Sequence, residues 1–241
     1  MDKGVKNAVI GSRNRGSWTG RNRPIQGLTS IQEQALALNG APVAMFFSGG
    51  KDAIASAHLL KQHHKGVIHW IYLYFVDGLE VIEPTLTYYE RKWNIKIHRR
   101  PCSEALSLRA QLSGNRKEHY KYSDTEKMYR KEFGVEWSCD GQKRSDSLAR
   151  RGMLKGCDGI DHEGMRIHPV IDWSDKKVFA YCKLHKLPLP KTYSMGIKNS
   201  VWVPDATMLL WLRSNFPGDY RKIIETFPQC GDAVFKKTGV V

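Results

Sequence analysis

The chain has 241 residues and a mass of 27.5 kDa, enough for one substantial hydrophobic core or a core with a small appendage. A hydrophobic content of 41% with 10% aromatic residues excludes general disorder, and no apolar run reaches the length of a membrane span. The formal charge of +14 suits polyanionic partners, meaning nucleotides, nucleic acid or an acidic protein, without choosing among them.

Residues 1–27 carry Lys3, Lys6, Arg13, Arg15, Arg21 and Arg23 against the single acid Asp2, separated by Gly, Ser and Asn. That composition reads as a basic, flexible arm that contacts nucleic acid or a protein partner, or is a solvated tail. Its first residues lack the apolar stretch of a signal peptide, and five scattered cysteines fit reduced thiols, so the expected location is cytoplasmic. From about Leu28 helix and strand patterns alternate. Thr29 or Ser30 caps a helix through Leu38, and the apolar run Val43–Phe47 is a buried strand bounded by Pro42 and Ser48-Gly49-Gly50. A helix over Ala53–His64, a strand over Val67–Val76, a helix over Glu83–Trp93 and a strand over Ile95–Arg99 follow. The second half is less regular. Helices are expected over Asp124–Phe133, Ser145–Leu154, Ser174–His185, Asp205–Asn215 and Gly218–Phe227, with strands over Val135–Cys139 and Ile167–Ile171. The alternation predicts an α/β fold with a parallel, Rossmann-like sheet and a C-terminal helical extension. The expected division is an arm at 1–27, a nucleotide-binding domain at 28–227 and a tail at 228–241.

The turn Ser48-Gly49-Gly50-Lys51-Asp52 falls between the first buried strand and its helix. In an open α/β sheet, ligands settle beyond the C-terminal ends of the strands, where this turn lies. Gly49 and Gly50 let the backbone approach phosphate without an intervening Cβ, and the free amides of a helix start favour an anion. Ser48 adds a hydroxyl and Lys51 a full positive charge. Asp52 is expected at the helix N-cap, with a structural role or a magnesium-bridging one. The spacing is not that of a Walker A loop. His58, His63, His64 and His69 read as surface or interior histidines, and Trp70, Tyr72, Tyr74 and Phe75 as sheet core.

The Ser48–Asp52 string resembles the PP-loop of the adenine nucleotide alpha-hydrolase superfamily, and specifically its PAPS reductase family, including phage and DNA-phosphorothioation-type members. Three further stretches carry the resemblance in order: Phe75-Val76-Asp77-Gly78-Leu79-Glu80, Asp140-Gly141-Gln142-Lys143-Arg144-Ser145-Asp146-Ser147-Leu148-Ala149-Arg150-Arg151, and His168-Pro169-Val170-Ile171-Asp172-Trp173-Ser174. With Val178-Phe179-Ala180-Tyr181 and Leu187-Pro188 after the last of these, the resemblance covers roughly 41–227. The resemblance implies that Ser48, Gly49, Gly50, Lys51 and Asp52 hold the phosphate or sulfate end of ATP, PAPS or APS. It further implies that Asp77 and Gly141 lie near the nucleotide and that Arg144 and Arg150, with Lys143, form a second anion clamp.

The chain departs from the family at Ala53, where a serine often stands, and at its end. Cys230-Gly231 matches half of the reductase cysteine motif, with no histidine following. Met195-Gly196-Ile197-Lys198-Asn199-Ser200-Val201-Trp202 stands where many relatives have a Gly-Cys-x-x-Cys. With no C-x-x-C pair, neither an iron–sulfur cluster nor zinc is expected. Three functions stay open. One is a sulfonucleotide enzyme with Lys51, Asp52 and Cys230 catalytic. Another is an AMP-forming ATP pyrophosphatase in a nucleic-acid modification system, using magnesium and no cysteine. The last is a non-catalytic nucleotide-binding or assembly protein.

Overall fold

The computed structural model describes residues 30–115, 117–197 and 204–232, so the basic arm, part of the Met195–Trp202 run and the last nine residues lie outside the described residues. Among the described residues six strands form one sheet: β1 (Val43–Phe46), β2 (Ile68–Tyr74), β3 (Ile97–Pro101), β4 (Trp137–Cys139), β5 (Ile160–Asp161) and β6 (Arg166–Ile167). Their spatial order is β3-β2-β1-β4-β6-β5, parallel throughout except that β5 runs antiparallel to β6. β1 is the central strand: Val43 pairs with Ile68 on one side and with Trp137 on the other. All four of its residues are buried, as a strand covered on both faces of a parallel sheet requires.

The helices are α1 (Ser30–Leu38), α2 (Lys51–His63), α3 (Glu83–Trp93), α4 (Ser103–Leu112), α5 (Tyr122–Glu132), α6 (Leu148–Met153), α7 (Asp175–Leu184), α8 (Lys191–Ser194), α9 (Ala206–Asn215) and α10 (Pro217–Thr226). Among the described residues, no helix is long and apolar enough to cross a membrane. Phe47, just past β1, anchors an aromatic cluster with Trp70, Tyr89 and Trp93 at centroid distances of 5.5–6.4 Å. The buried hydroxyl of Tyr89 donates to the Pro188 carbonyl at 2.8 Å, satisfying its polar end.

The C-terminal helices are tied to the sheet by a buried carboxylate. Asp219 on α10 accepts backbone N–H bonds from Glu80 and Val81, each at 2.8 Å, while Lys222 donates to the Gly78 carbonyl at 3.1 Å. The stretch after β2 is thus shaped by α10, and Phe75 meets Phe227 at 4.7 Å between centroids. On the other half of the sheet, Glu126 of α5 accepts from Arg166 of β6 and from the Ser138 hydroxyl of β4.

Several expected boundaries shift for local reasons. α2 begins at Lys51 with Gly50 as its N-cap, so Asp52 sits in the first turn instead of capping it. α6 starts only after Ser147, whose hydroxyl accepts the Arg150 N–H at 3.1 Å. β6 is two residues long where a five-residue strand was expected, because the backbone turns at His168, with Ile171 N–H bonded to the His168 carbonyl at 3.1 Å. α4, β5 and α8 were not expected.

Candidate functional site

The sheet order reverses between β1 and β4: the chain leads from β1 outward to β2 and β3, then returns to β4 on the other side. At such a switch point the turns leaving the two strands diverge and open a crevice. Here it is a cavity of about 760 Å³ walled by Ser48, Gly50, Lys51, Asp52 and Ala53 after β1 and by Asp140, Gly141, Gln142, Ser145, Asp146 and Arg150 after β4. That volume lies in the range that holds a nucleotide-sized ligand.

Glycine is required at two positions in these turns. Gly49 has φ +74°, and a Cβ there would stand 2.9 Å from Ile82 Cδ1. Gly141 packs directly on the first turn of α2, where a Cβ would lie 2.6 Å from the Ala53 nitrogen and 2.6 Å from the Asp52 carbonyl carbon. The two turns are therefore in backbone contact. At the start of α2 the first N–H groups have no intrahelical acceptor. The Lys51 N–H donates to the Tyr193 hydroxyl at 3.1 Å, and the Gly50 N–H to Ser48 Oγ at 3.4 Å.

The charges form a compact cage. Asp52 Oδ1 accepts from Lys143 Nζ at 2.7 Å, and its Oδ2 from Lys51 Nζ at 2.8 Å. Lys143 also reaches Asp146 at 2.8 Å and Asp175 at 2.9 Å, and Lys51 reaches Asp175 at 3.3 Å. Burial works to lower the affinity of Lys51 for its proton, but the hydrogen bond and charge of Asp52 outweigh it and raise the pKa. The Lys143 pKa is raised in the same way, with burial overcome by Asp146, Asp52 and Asp175. Asp175 is held below the usual carboxylate range, chiefly by its hydrogen bond from Lys143. Deeper in the wall, Asp140 pairs with the buried His168 ring at 2.7 Å. Burial pulls the imidazole pKa down, Asp140 pulls it up more strongly, and the net direction is upward.

Of the residues singled out in the sequence, Ser48, Gly50, Lys51, Asp52, Gly141 and Arg150 line one cavity. Arg150 makes no ion pair among the described residues. Gly49 shapes the turn from behind, against Ile82. Arg144 points elsewhere: its guanidinium donates to the carbonyls of Leu154 and Cys157 and to the Asp172 carboxylate, pinning the loop after β4. Asp77 lies in the turn after β2, outside the cavity lining. Cys230 lies beyond α10, half-buried against the core, with burial raising its thiol pKa. None of the five cysteines, all of them described, lines the cavity. Sequence reasoning missed Tyr193, Glu104 and Asp175. Asp175 had one visible signal, its place in the first turn of a helix capped by Ser174.

The phosphoadenosine phosphosulfate reductase domain matches residues 42–233. The chain belongs to the phosphoadenosine phosphosulfate reductase family. Its strand order places the Ser48–Asp52 turn at the crevice between β1 and β4. No curated protein matches the chain. Among solved structures, it is similar to the phosphoadenylyl-sulfate (PAPS) reductase of Candida auris in its phosphate complex, at 14% identity and TM-score 0.47, covering 70% of this chain and 86% of that one. It is similar to the FMN adenylyltransferase of Candida glabrata, with FAD and inorganic pyrophosphate, at 11% identity and TM-score 0.50, covering 72% of this chain and 62% of that one. It is also similar to the U34-tRNA thiolase NcsA of Methanococcus maripaludis with its 4Fe-4S cluster, at 16% identity and TM-score 0.43, covering 83% of this chain and 76% of that one.

The thiolase corrects one sequence expectation. Cysteine spacing was taken to exclude an iron–sulfur cluster, yet a structurally similar protein carries one. The physical reason is that a fold can gather ligands from separate elements, so distance along the chain does not decide the matter.

Proposed function

We propose that the protein is an adenine-nucleotide enzyme that takes ATP, PAPS or APS in the β1–β4 crevice and acts at the α-phosphate or sulfate. The observation that carries this reading is the single cavity that Ser48, Gly50 and Lys51 line from the β1 turn and Gly141 and Arg150 from the β4 turn. Lys51 and the first-turn amides of α2 are assigned to the phosphate or sulfate end, and Arg150 to a second anionic group. Asp52 holds the ammonium groups of Lys51 and Lys143 in place. Catalysis is then positioning and charge neutralisation in a partly enclosed site.

The nucleophile in this reading belongs to an acceptor from outside the chain. Its support is that no cysteine stands on the cavity wall and that burial raises the Cys230 pKa, which disfavours the thiolate. With ATP, attack on the α-phosphorus breaks the α–β bridge, gives the acceptor adenylate and releases pyrophosphate. With a sulfonucleotide, attack on sulfur releases the adenosine phosphate. The overall charge of +14 supports a polyanionic acceptor such as a nucleic acid, with the basic residues 1–27 as its contact. The test is turnover of ATP, PAPS and APS, with the leaving pyrophosphate or adenosine phosphate measured for wild type, Lys51→Ala and Cys230→Ser. Turnover is expected to fall in Lys51→Ala and persist in Cys230→Ser. Its loss in Cys230→Ser would return the reaction to the chain's own thiol.

A further inference from the structure

Three carboxylates from separate elements converge beside the cavity: Asp52 in the first turn of α2, Asp146 in the loop after β4 and Asp175 in the first turn of α7. Each offers an oxygen within 4.8 Å of the others, the donor set of a hard divalent cation such as magnesium or manganese. Left alone, such a cluster repels itself and draws a cation in. Here a cation of the chain's own already stands at the focus. Lys143 Nζ lies 2.7, 2.8 and 2.9 Å from Asp52, Asp146 and Asp175. The ammonium donates hydrogen bonds to Asp52 and Asp175 and makes an ion pair with Asp146, so carboxylates surround it on three sides. The Lys143 side chain is 0% exposed.

We propose that Lys143 is a built-in cation which takes the place of a divalent metal at Asp52, Asp146 and Asp175. Two consequences follow from the geometry. Lys143 is buried among carboxylates and stands outside the cavity lining, so it does not belong to the anion clamp that the sequence suggested. It is a positioning residue: through Asp52 it fixes Lys51, whose ammonium shares the other carboxylate oxygen at 2.8 Å. The carboxylates, in turn, are closed to magnesium unless a buried ammonium is expelled. Neutralisation at this end of the crevice is supplied by lysines, and the Asp52 metal role considered from the sequence does not fit the residues present.

The test uses Mn²⁺ alone with the full chain, read by the electron paramagnetic resonance signal of the free ion. Wild type is expected to leave the ion free at equimolar protein. Lys143→Ala, which empties the focus, is expected to bind one Mn²⁺ and to lose it when Asp175→Asn is added. Mg²⁺ at a hundred times its dissociation constant is expected to raise the melting temperature of Lys143→Ala by roughly 5–10 °C. It is expected to leave that of wild type unchanged. A folded Lys143→Ala that takes no Mn²⁺ would overturn the proposal. So would a wild-type Mn²⁺ site abolished by Asp175→Asn, a comparison that needs no Lys143 variant to fold. No nucleotide is present in these samples, so their outcome is separate from that of the nucleotide reading.

Discussion

Replacing Gly141 with alanine tests the contact that joins the two halves of the crevice. The added Cβ would stand 2.6 Å from the Ala53 nitrogen and from the Asp52 carbonyl carbon, and 2.9 Å from the Asp52 oxygen. Ordinary contact begins at 3.4 Å, so the turns after β1 and β4 must part by 0.8 Å. Neither neighbour is a flexible side-chain tip; both are backbone at a helix start. Forcing extra atoms into such a place costs about 1–3 kcal/mol, and backbone neighbours put this case near the upper end. For a domain of this size that lowers the melting temperature by roughly 4–12 °C. The same displacement separates Arg150 from the Ser48–Asp52 turn, so nucleotide affinity is expected to fall about tenfold or more. Gly152→Ala in exposed α6 is the control, because no atom lies within 4 Å of its added Cβ. In a helix that change is neutral to about 1 kcal/mol stabilising. Thermal unfolding and calorimetric titration of both variants decide the point. A Gly141→Ala protein that melts within about 1 °C of wild type would refute the backbone contact.

Arg150→Ala removes a charge-assisted contact to the ligand and no ion pair among the described residues. Nucleotide affinity is expected to drop by roughly 10–100-fold while the ligand-free melting temperature stays put, as calorimetry and thermal unfolding would show. Asp219→Ala leaves the N–H groups of Glu80 and the buried Val81 without acceptors and detaches α10, at a cost of about 2–4 kcal/mol read by urea unfolding. Equal stability would mean that α10 is held by its apolar contacts alone. His168 bears on pH. Its folded pKa is raised above the unfolded value near 6.5, so its pairing with Asp140 stabilises fully below that value. The contribution is lost as pH rises through the raised folded pKa. His58 works in the opposite sense, because burial holds its pKa down at about 4. The informative quantity is thus the stability difference between wild type and His168→Gln, expected to shrink as pH rises above about 6.5. A difference that is flat or widens with pH would contradict the pairing.

The first half of the fold was legible because each element there obeys one simple pattern. β1 is a continuous apolar run with a glycine turn at its end, and α3 carries Pro84 near its start and Asn94, at φ 50°, just past its end. α4 stayed hidden because it buries Ser103, Ala105 and Ser107, small and mostly polar residues that leave no apolar stripe in the sequence. Trp137–Cys139 and Arg166–Ile167 are too short for periodicity to delimit. The Ser48–Asp52 turn could be read from residue type, since glycine and lysine between strand and helix have a local meaning, whereas Gly141 came only with the family resemblance. The roles of Lys143 and Arg144 could not. Two adjacent cations in one motif looked alike, yet one is sunk among carboxylates from three elements and the other braces a loop. Only the tertiary arrangement separates them. Tyr193 is a similar case, reaching Lys51 across 142 positions of sequence.

The placement of the nucleotide's anionic end is best tested by the amide signals of isotope-labelled protein during titration with PAPS and with ATP. The account expects the largest shifts at Gly49, Gly50, Lys51, Asp52 and Gly141, with at least one of the two ligands. A ligand that binds while those amides stay still, with its largest shifts between Glu80 and Lys92 instead, would contradict it.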